Sequence, residues 1–282
     1  MKTVAWIFDT PEEYANHCER HADAPHSVLS FYTWEELPSR QDAETITDVT
    51  VVVKSRTTRT LPPSLSAFHN CTQLILPSRL LPSLAHVALP EKLNWITLRG
   101  NRKLEWPRDL VLPGVVELEL DRNTLTVEAR ALPSLKGVGV TLDRKNERGR
   151  VLDALVDLED VSLGNVQDES IFDTLVRHPL KRLRFIDSRL KAIARVGDIP
   201  TLENVELTGL PHVRSIKPLL QLPNLTRLYI HTCKRIEDAA EVLPALKRLE
   251  WLNVIACGNI GLTAVLPELR RKLEHIGDDG TW

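Results

Sequence analysis

The sequence predicts an α/β repeat fold, a solenoid in which short parallel strands stack on one side and 3₁₀ or irregular returns close the other. Three observations carry this prediction. An apolar motif recurs every 20 to 25 residues, apolar side chains alternate with others inside each copy, and between copies the apolar period becomes three. Alternation puts one set of side chains on one face of a strand. A period of three suits a 3₁₀ turn, in which side chains at i and i+3 line up.

The motif is clearest at Leu93, Ile96, Leu98 and Asn101, and Val115, Leu118, Leu120 and Asn123 repeat it 22 residues later. Leu225, Leu228, Ile230 and Cys233, then Leu249, Leu252, Val254 and Cys257, repeat it again. Weaker copies begin at Ile46, Cys71, Leu135, Leu158, Leu180, Leu202 and Leu273, so the successive intervals are 25, 22, 22, 20, 23, 22, 22, 23, 24 and 24 residues. The final Asn or Cys is expected to pack inward as the chain turns. The fifth to eighth copies replace it with Asp143, Val166, Ser188 and Leu210, with Asn165 one residue early, and looser turns are expected there. In the returns, Val213, Ile216, Leu219, Leu222 and Leu225 fall every three residues, as do Ile193, Val196, Ile199 and Leu202. Pro82, Pro113, Pro133, Pro200, Pro223 and Pro244 follow a leucine or isoleucine and are expected to stop each return.

With these residues in view, the chain resembles the leucine-rich-repeat family, and the I-x-x-I-x-x-L-x-x-L-P-x-L return resembles its short, about 22-residue subclass. The resemblance covers residues 46–276 and implies a right-handed solenoid with a parallel concave sheet. It also implies a protein-binding role, possible in a bacterial cytosolic member, while the fold itself serves many functions.

Residues 1–45 lie outside the period and read as an N-terminal cap, with an edge strand at Val4–Phe8, a helix at Pro11–Arg20 and a strand from Val28 to Trp34. Residues 277–282 read as a polar C-terminal tail whose Trp282 folds back over the last repeat. The first residues form too short an apolar run for an export signal, and no stretch reaches the roughly 20 apolar residues that span a bilayer. A cytoplasmic protein with no membrane partner is the expectation.

A chain of 282 residues with 43% hydrophobic content can bury a continuous core. Its 36 Lys and Arg against 38 Asp and Glu leave a net charge of -2, so no global attraction to nucleic acid is expected. Cys18, Cys71, Cys233 and Cys257 lack the spacing of a zinc site or a disulfide framework, and Cys233 and Cys257 are expected to be buried and reduced. His17, Cys18, His21 and His26 form the one local cluster of metal-ligand types. His17 and His21 at i and i+4 would share a helix face, but the pattern matches no strong zinc motif, so no cofactor or metal is assigned. There is no nucleophile elbow, phosphate loop or zinc-protease motif, and Asp278 and Asp279 read as solubilising, so the chain is read as non-enzymatic.

The residues between the apolar positions are expected to face solvent on the concave side. Along the stack they read Trp95, Thr97, Arg99; Glu117, Glu119, Asp121; Gly137, Gly139, Thr141; Asp160, Ser162, Gly164; Arg182, Arg184, Ile186; Asn204, Glu206, Thr208; Arg227, Tyr229, His231; and Trp251, Asn253, Ile255. An acidic block thus precedes a small-residue saddle and a basic, aromatic block. Trp, Tyr and Arg are the side chains that most often dominate interfaces. The expectation is a protein partner held on this face by Trp95, Arg99, Glu117, Glu119, Asp121, Arg182, Arg184, Arg227, Tyr229 and Trp251, as in a toxin-neutralising or regulatory scaffold. Chemistry in the cap, or nucleic-acid binding through Arg182, Arg184 and Arg227, are the alternative readings.

Overall fold

A computed structural model describes residues 3–22, 29–143 and 147–278. The chain divides into two compact units, Met1–Leu135 and Lys136–Trp282.

In the first unit, β1 (Thr3–Phe8), β2 (Leu29–Thr33), β3 (Ile46–Val52), β4 (Gln73–Pro77), β5 (Trp95–Arg99) and β7 (Glu117–Leu120) form parallel pairs in the spatial order β2-β1-β3-β4-β5-β7. Two three-residue strands on the returns, β6 (Lys103–Glu105) and β8 (Thr124–Thr126), pair separately. The second unit stacks β9 (Gly137–Thr141), β10 (Asp160–Gly164), β11 (Arg182–Ile186), β12 (Asn204–Thr208), β13 (Arg227–His231), β14 (Trp251–Ile255) and β15 (His275–Asp278) in sequence order, again all parallel. Each unit is a leucine-rich-repeat stack.

From Cys71 onward, every strand of these stacks starts two residues after a predicted motif start. The register follows the motif: Asp48, Gln73, Trp95 and Glu117 are successive partners in the first unit, and Gly137, Asp160, Arg182, Asn204, Arg227, Trp251 and His275 in the second. The motif leucines and valines are buried in one column per position. This apolar column drives stacking, because no repeat can cover its own face alone.

A second regularity ends the strands. Asn165, Asp187, Gly209, Thr232 and Ala256 occupy the same motif position, and all have positive φ, between 46° and 66°. The backbone N–H of each of the first four donates, at 2.9 Å, to the carbonyl of the last residue of the next strand. The left-handed turn thus exchanges backbone strain for one more rung of the ladder.

The turn position after it is filled as expected at Asn123, Cys233 and Cys257, all fully buried. Asn123 Nδ2 donates to the Leu98 carbonyl at 2.7 Å, while Arg102 N–H donates to its Oδ1 at 3.1 Å. Both cysteines are free, and their thiols point at carbonyls such as Leu207 O, 3.3 Å from Cys233, and Ile230 O, 3.4 Å from Cys257. Burial pushes the Cys233 thiol up to about 12. Asn101 departs from the expectation and is exposed. In the preceding repeat Arg79 takes the turn position, its guanidinium donating to Val53 O at 3.2 Å and Ser55 O at 2.7 Å.

The returns hold more helix than expected. Short 3₁₀ segments at Ala194–Asp198 and Lys217–Gln221 match the period of three, but the two 24-residue intervals carry seven-residue α-helices, Ala239–Ala245 and Leu266–Lys272. The added residues fit because an α-helix rises only about 1.5 Å per residue against about 2.0 Å in a 3₁₀ helix. Pro82 and Pro244 lie inside helical turns and do not end them.

The N-terminal strand is also placed differently. β1 is interior, and β2 forms the edge. Ala5 and Ile7 are buried toward the repeat core, in register with Val49 and Val51. Phe8, on the opposite face, is only 1% exposed because α1 (Pro11–Arg20) covers that face. The rings of Tyr14 and His17 pack on Phe8 at 6.3 and 4.7 Å, and His17 lies 5.3 Å from Trp6. Thr10 caps α1 by accepting from Glu13 N–H, and Pro11 stands where no intrahelical donor is needed. Asp9 ties the loop after β3 to the start of this helix, accepting from Lys54 N–H, Ser55 N–H and Thr58 Oγ1 at 2.8 to 3.1 Å. Residues 279–282, including Asp279 and Trp282, lie outside the described residues, and Gly277 and Asp278 continue β15.

Candidate protein-binding surface

The face turned away from the core is built by the odd members of each strand pair, and its side chains differ between the units. In the second unit the first row runs Asp160, Arg182, Asn204, Arg227, Trp251, His275, and the second runs Ser162, Arg184, Glu206, Tyr229, Asn253, Gly277. One carboxylate serves two guanidinium groups here. Asp160 accepts from Arg182 at 2.8 Å and from Arg184 at 3.3 Å.

Further along the row, the Arg227 guanidinium carbon lies 5.5 Å from the centre of the Trp251 ring, and the His275 ring stacks on the same tryptophan at 4.4 Å and 27°. Trp251 remains 36% exposed and Ile255 on the same strand 37%. A tryptophan held between two side chains on a sheet face loses little freedom when something covers it. Tyr229 is half-buried, with its ring edge-on to His231 at 6.4 Å. Arg184 Nε, His231 Nε2 and Asn253 Oδ1 are buried without a hydrogen-bond partner among the described residues.

In the first unit, Arg99, Glu119 and Asp121 are exposed, while Trp95 and Glu117 are half-buried. Thr97 hydroxyl donates to Glu119 at 3.2 Å, Asp121 lies 4.0 Å from Arg122, and the Trp95 indole N–H is buried without a partner. Thr97 and Gly137, read as solvent-facing, are buried.

His275 was missed by sequence reasoning, although the Leu273 motif places it in register with Trp251. In the N-terminal segment, His17 Nδ1 lies 3.3 Å from Glu13 O and its ring packs on aromatics, the His21 ring lies 5.9 Å from Phe31, and His26 is outside the described residues. Among the described residues, no three His, Cys, Asp or Glu side chains converge as metal ligands. No helix among them is long and apolar enough to cross a membrane. The return side of the first unit holds an open cavity of about 270 Å³ beside Trp106, Arg108, Val111 and Arg130.

No protein-family model matches the chain, and no curated protein does. Among solved structures, the chain is similar to internalin C2 from Listeria monocytogenes, with 18% identity over 86% of this chain and 92% of that one and a TM-score of 0.37. It is also similar to a chain of the LRIM1/APL1C complex, with 16% identity over 98% of this chain and 57% of that one and a TM-score of 0.33. This chain therefore spans little more than half the length of the second. At these scores the likenesses carry no argument, and the architecture rests on the repeat and its strand register.

Proposed function

We propose that this protein is a non-enzymatic, cytoplasmic binding module that holds a partner protein on the outward strand face of its second unit. The observation that carries the reading is Trp251, exposed on a sheet face between the Arg227 guanidinium and the His275 ring. Arg182, Arg184 and Tyr229 share that face and are the other anchors we assign. Aromatic and arginine anchors commonly cost about 2 kcal/mol or more of binding when truncated. Trp95, Arg99, Glu117, Glu119 and Asp121 are proposed as a separate contact surface of the first unit.

The test is photocrosslinking in the native source, with a photoreactive amino acid in place of Ile255 or, on the return side, Val156, which is 62% exposed. A discrete protein adduct from position 255, absent from 156 and lost in Trp251→Ala, is expected. Adducts from the return position alone would overturn the proposal. The identity of the partner decides between a regulatory scaffold and a toxin-neutralising one.

A further inference from the structure

Several cations on the returns of the second unit are held in ion pairs. Arg195 lies between Asp173 and Asp198, Lys217 pairs with Glu241 at 3.0 Å, and Arg177 pairs with Asp153 at 3.6 Å. At the strand starts, Lys136 and Lys181 both reach Glu159. The turns that follow β11 and β13 bring four cations to strand ends separated by β12. Arg189, Lys191, Lys234 and Arg235 are exposed there, and none has a carboxylate within ion-pair distance among the described residues. Arg227 on the adjoining face lies over the tryptophan ring and has no ion pair among the described residues.

These turns also carry Asp187, Glu237 and Asp238, so four cations stand against three carboxylates, of which Glu237 is taken by Arg214 at 2.5 Å and Asp238 accepts from the Ser215 hydroxyl and the Ile216 N–H. A recess of about 350 Å³ opens beside Lys234, Arg235 and the Arg214-paired Glu237, with Ile236 and Ile260 in its lining. Unpaired exposed charges contribute little to a fold. They do attract and orient an oppositely charged partner, especially where several share one edge.

Resting on the binding role proposed above, we infer that the partner presents an acidic polypeptide segment to the second unit, with carboxylates against Arg189, Lys191, Lys234 and Arg235 at the strand ends and an apolar side chain against Ile255 at the end of β14. Acidic protein fits better than nucleic acid. Glu203, Glu250 and Glu274 each stand just before a strand of the same face. A strand of five residues is only about 16 Å long at roughly 3.3 Å per residue. A broad phosphate polymer on the cationic rim would therefore also approach those carboxylates, whereas a single acidic segment can follow the rim.

The probes are a short fluorescent peptide alternating glutamate and leucine, its lysine–leucine counterpart, and a single-stranded oligonucleotide, each titrated by anisotropy against the full chain at low and high salt. The acidic peptide is expected to bind, to weaken with salt, and to lose about tenfold in affinity in Lys234→Glu/Arg235→Glu. Lys217→Glu on the return is expected to leave it unchanged, and Lys234→Gln/Arg235→Gln, with a melting curve, separates lost charge from lost folding. The inference falls if both peptides bind alike, if neither binds, if the oligonucleotide binds more tightly, or if charge reversal changes nothing. Should it fall while position 255 still crosslinks a protein, the binding role stands and only the acidic partner is wrong. Should position 255 crosslink nothing while the peptide binds the rim, the outward-face reading is the one that fails.

Discussion

The outward faces of the two units begin from the same strand geometry and end in opposite states. In the first unit the chain covers part of that face itself, with α1 laid on Trp6 and Phe8, and Thr50, the register partner of Trp6, buried beside them. In the second, Arg182, Arg227, Trp251 and Ile255 stay exposed. The difference follows from composition. β1 is apolar on both faces, the pattern of a strand buried on both sides, so leaving either face in water would forgo its burial energy. The strands from β11 onward mix polar outward residues with a few apolar ones, Ile186, Trp251 and Ile255, no described helix is laid on them, and Trp251 is held by a neighbouring cation and ring. A covered face holds the fold together, while an open one is available to something else.

The most forceful way to break this comparison is Phe8→Ala. The ring is 1% exposed and touches Tyr14, His17 and Phe31, so its loss leaves a cavity between sheet and helix. Urea unfolding should show a loss of about 3–5 kcal/mol. A loss under about 1 kcal/mol would mean that α1 is an ornament on the sheet and that the two faces do not differ in kind.

A smaller contrast lies in the turns of the second unit. Gly209 and Gly258 have nearly equal φ, +66° and +64°, but a Cβ at Gly209 would stand 2.4 Å from Asp187 Oδ1 and 3.2 Å from Asp187 backbone, whereas at Gly258 nothing lies within 4 Å. Gly258→Ala should therefore cost only the left-handed strain, about 1–2 kcal/mol. Gly209→Ala should cost clearly more by thermal unfolding, because the ladder N–H to His231 O fixes the backbone that would have to move. Equal losses would show that the turns are looser than their repeated hydrogen bond implies.

Much of this architecture was legible because the motif is periodic. Leu93, Val115 and Leu225 locate β5, β7 and β13 to the residue, and the columns that follow place Arg227 beside Trp251. What was not legible lies where the period is absent or its side chains are exchanged. Arg79 does the work expected of an asparagine because its long side chain can reach two carbonyls from a turn of different shape, which no motif pattern anticipates. The placement of α1 was implicit in the alternation of Ala5 and Ile7 with Trp6 and Phe8, since two apolar faces require two covers. It is harder to see than the repeats because residues 1–45 lie outside the period that aligns the other strands. The pairing of Arg182 and Arg184 on Asp160, 22 and 24 residues apart in sequence, depends on side-chain geometry that spacing alone does not determine.

The smallest expected effect tests the open face itself. Arg227 and Trp251 are directly registered neighbours, so their coupling can be isolated by a double-mutant cycle on stability with Arg227→Ala, Trp251→Ala and the pair. A cation over an exposed ring contributes about 0.5–1 kcal/mol, and the stacked His275 adds an aromatic contact of similar size that Trp251→Ala also removes. Each single change should therefore lower stability by no more than about 1–2 kcal/mol, with a coupling near 0.5–1 kcal/mol measured by denaturant unfolding. These values sit well below the loss expected at Phe8, because Trp251 already spends part of its surface in water and leaves no closed cavity behind. A coupling above about 2 kcal/mol would place the pair among desolvated contacts. The outward face of the second unit would then be structural like that of the first, and the anchors assigned to a partner would have to be sought elsewhere.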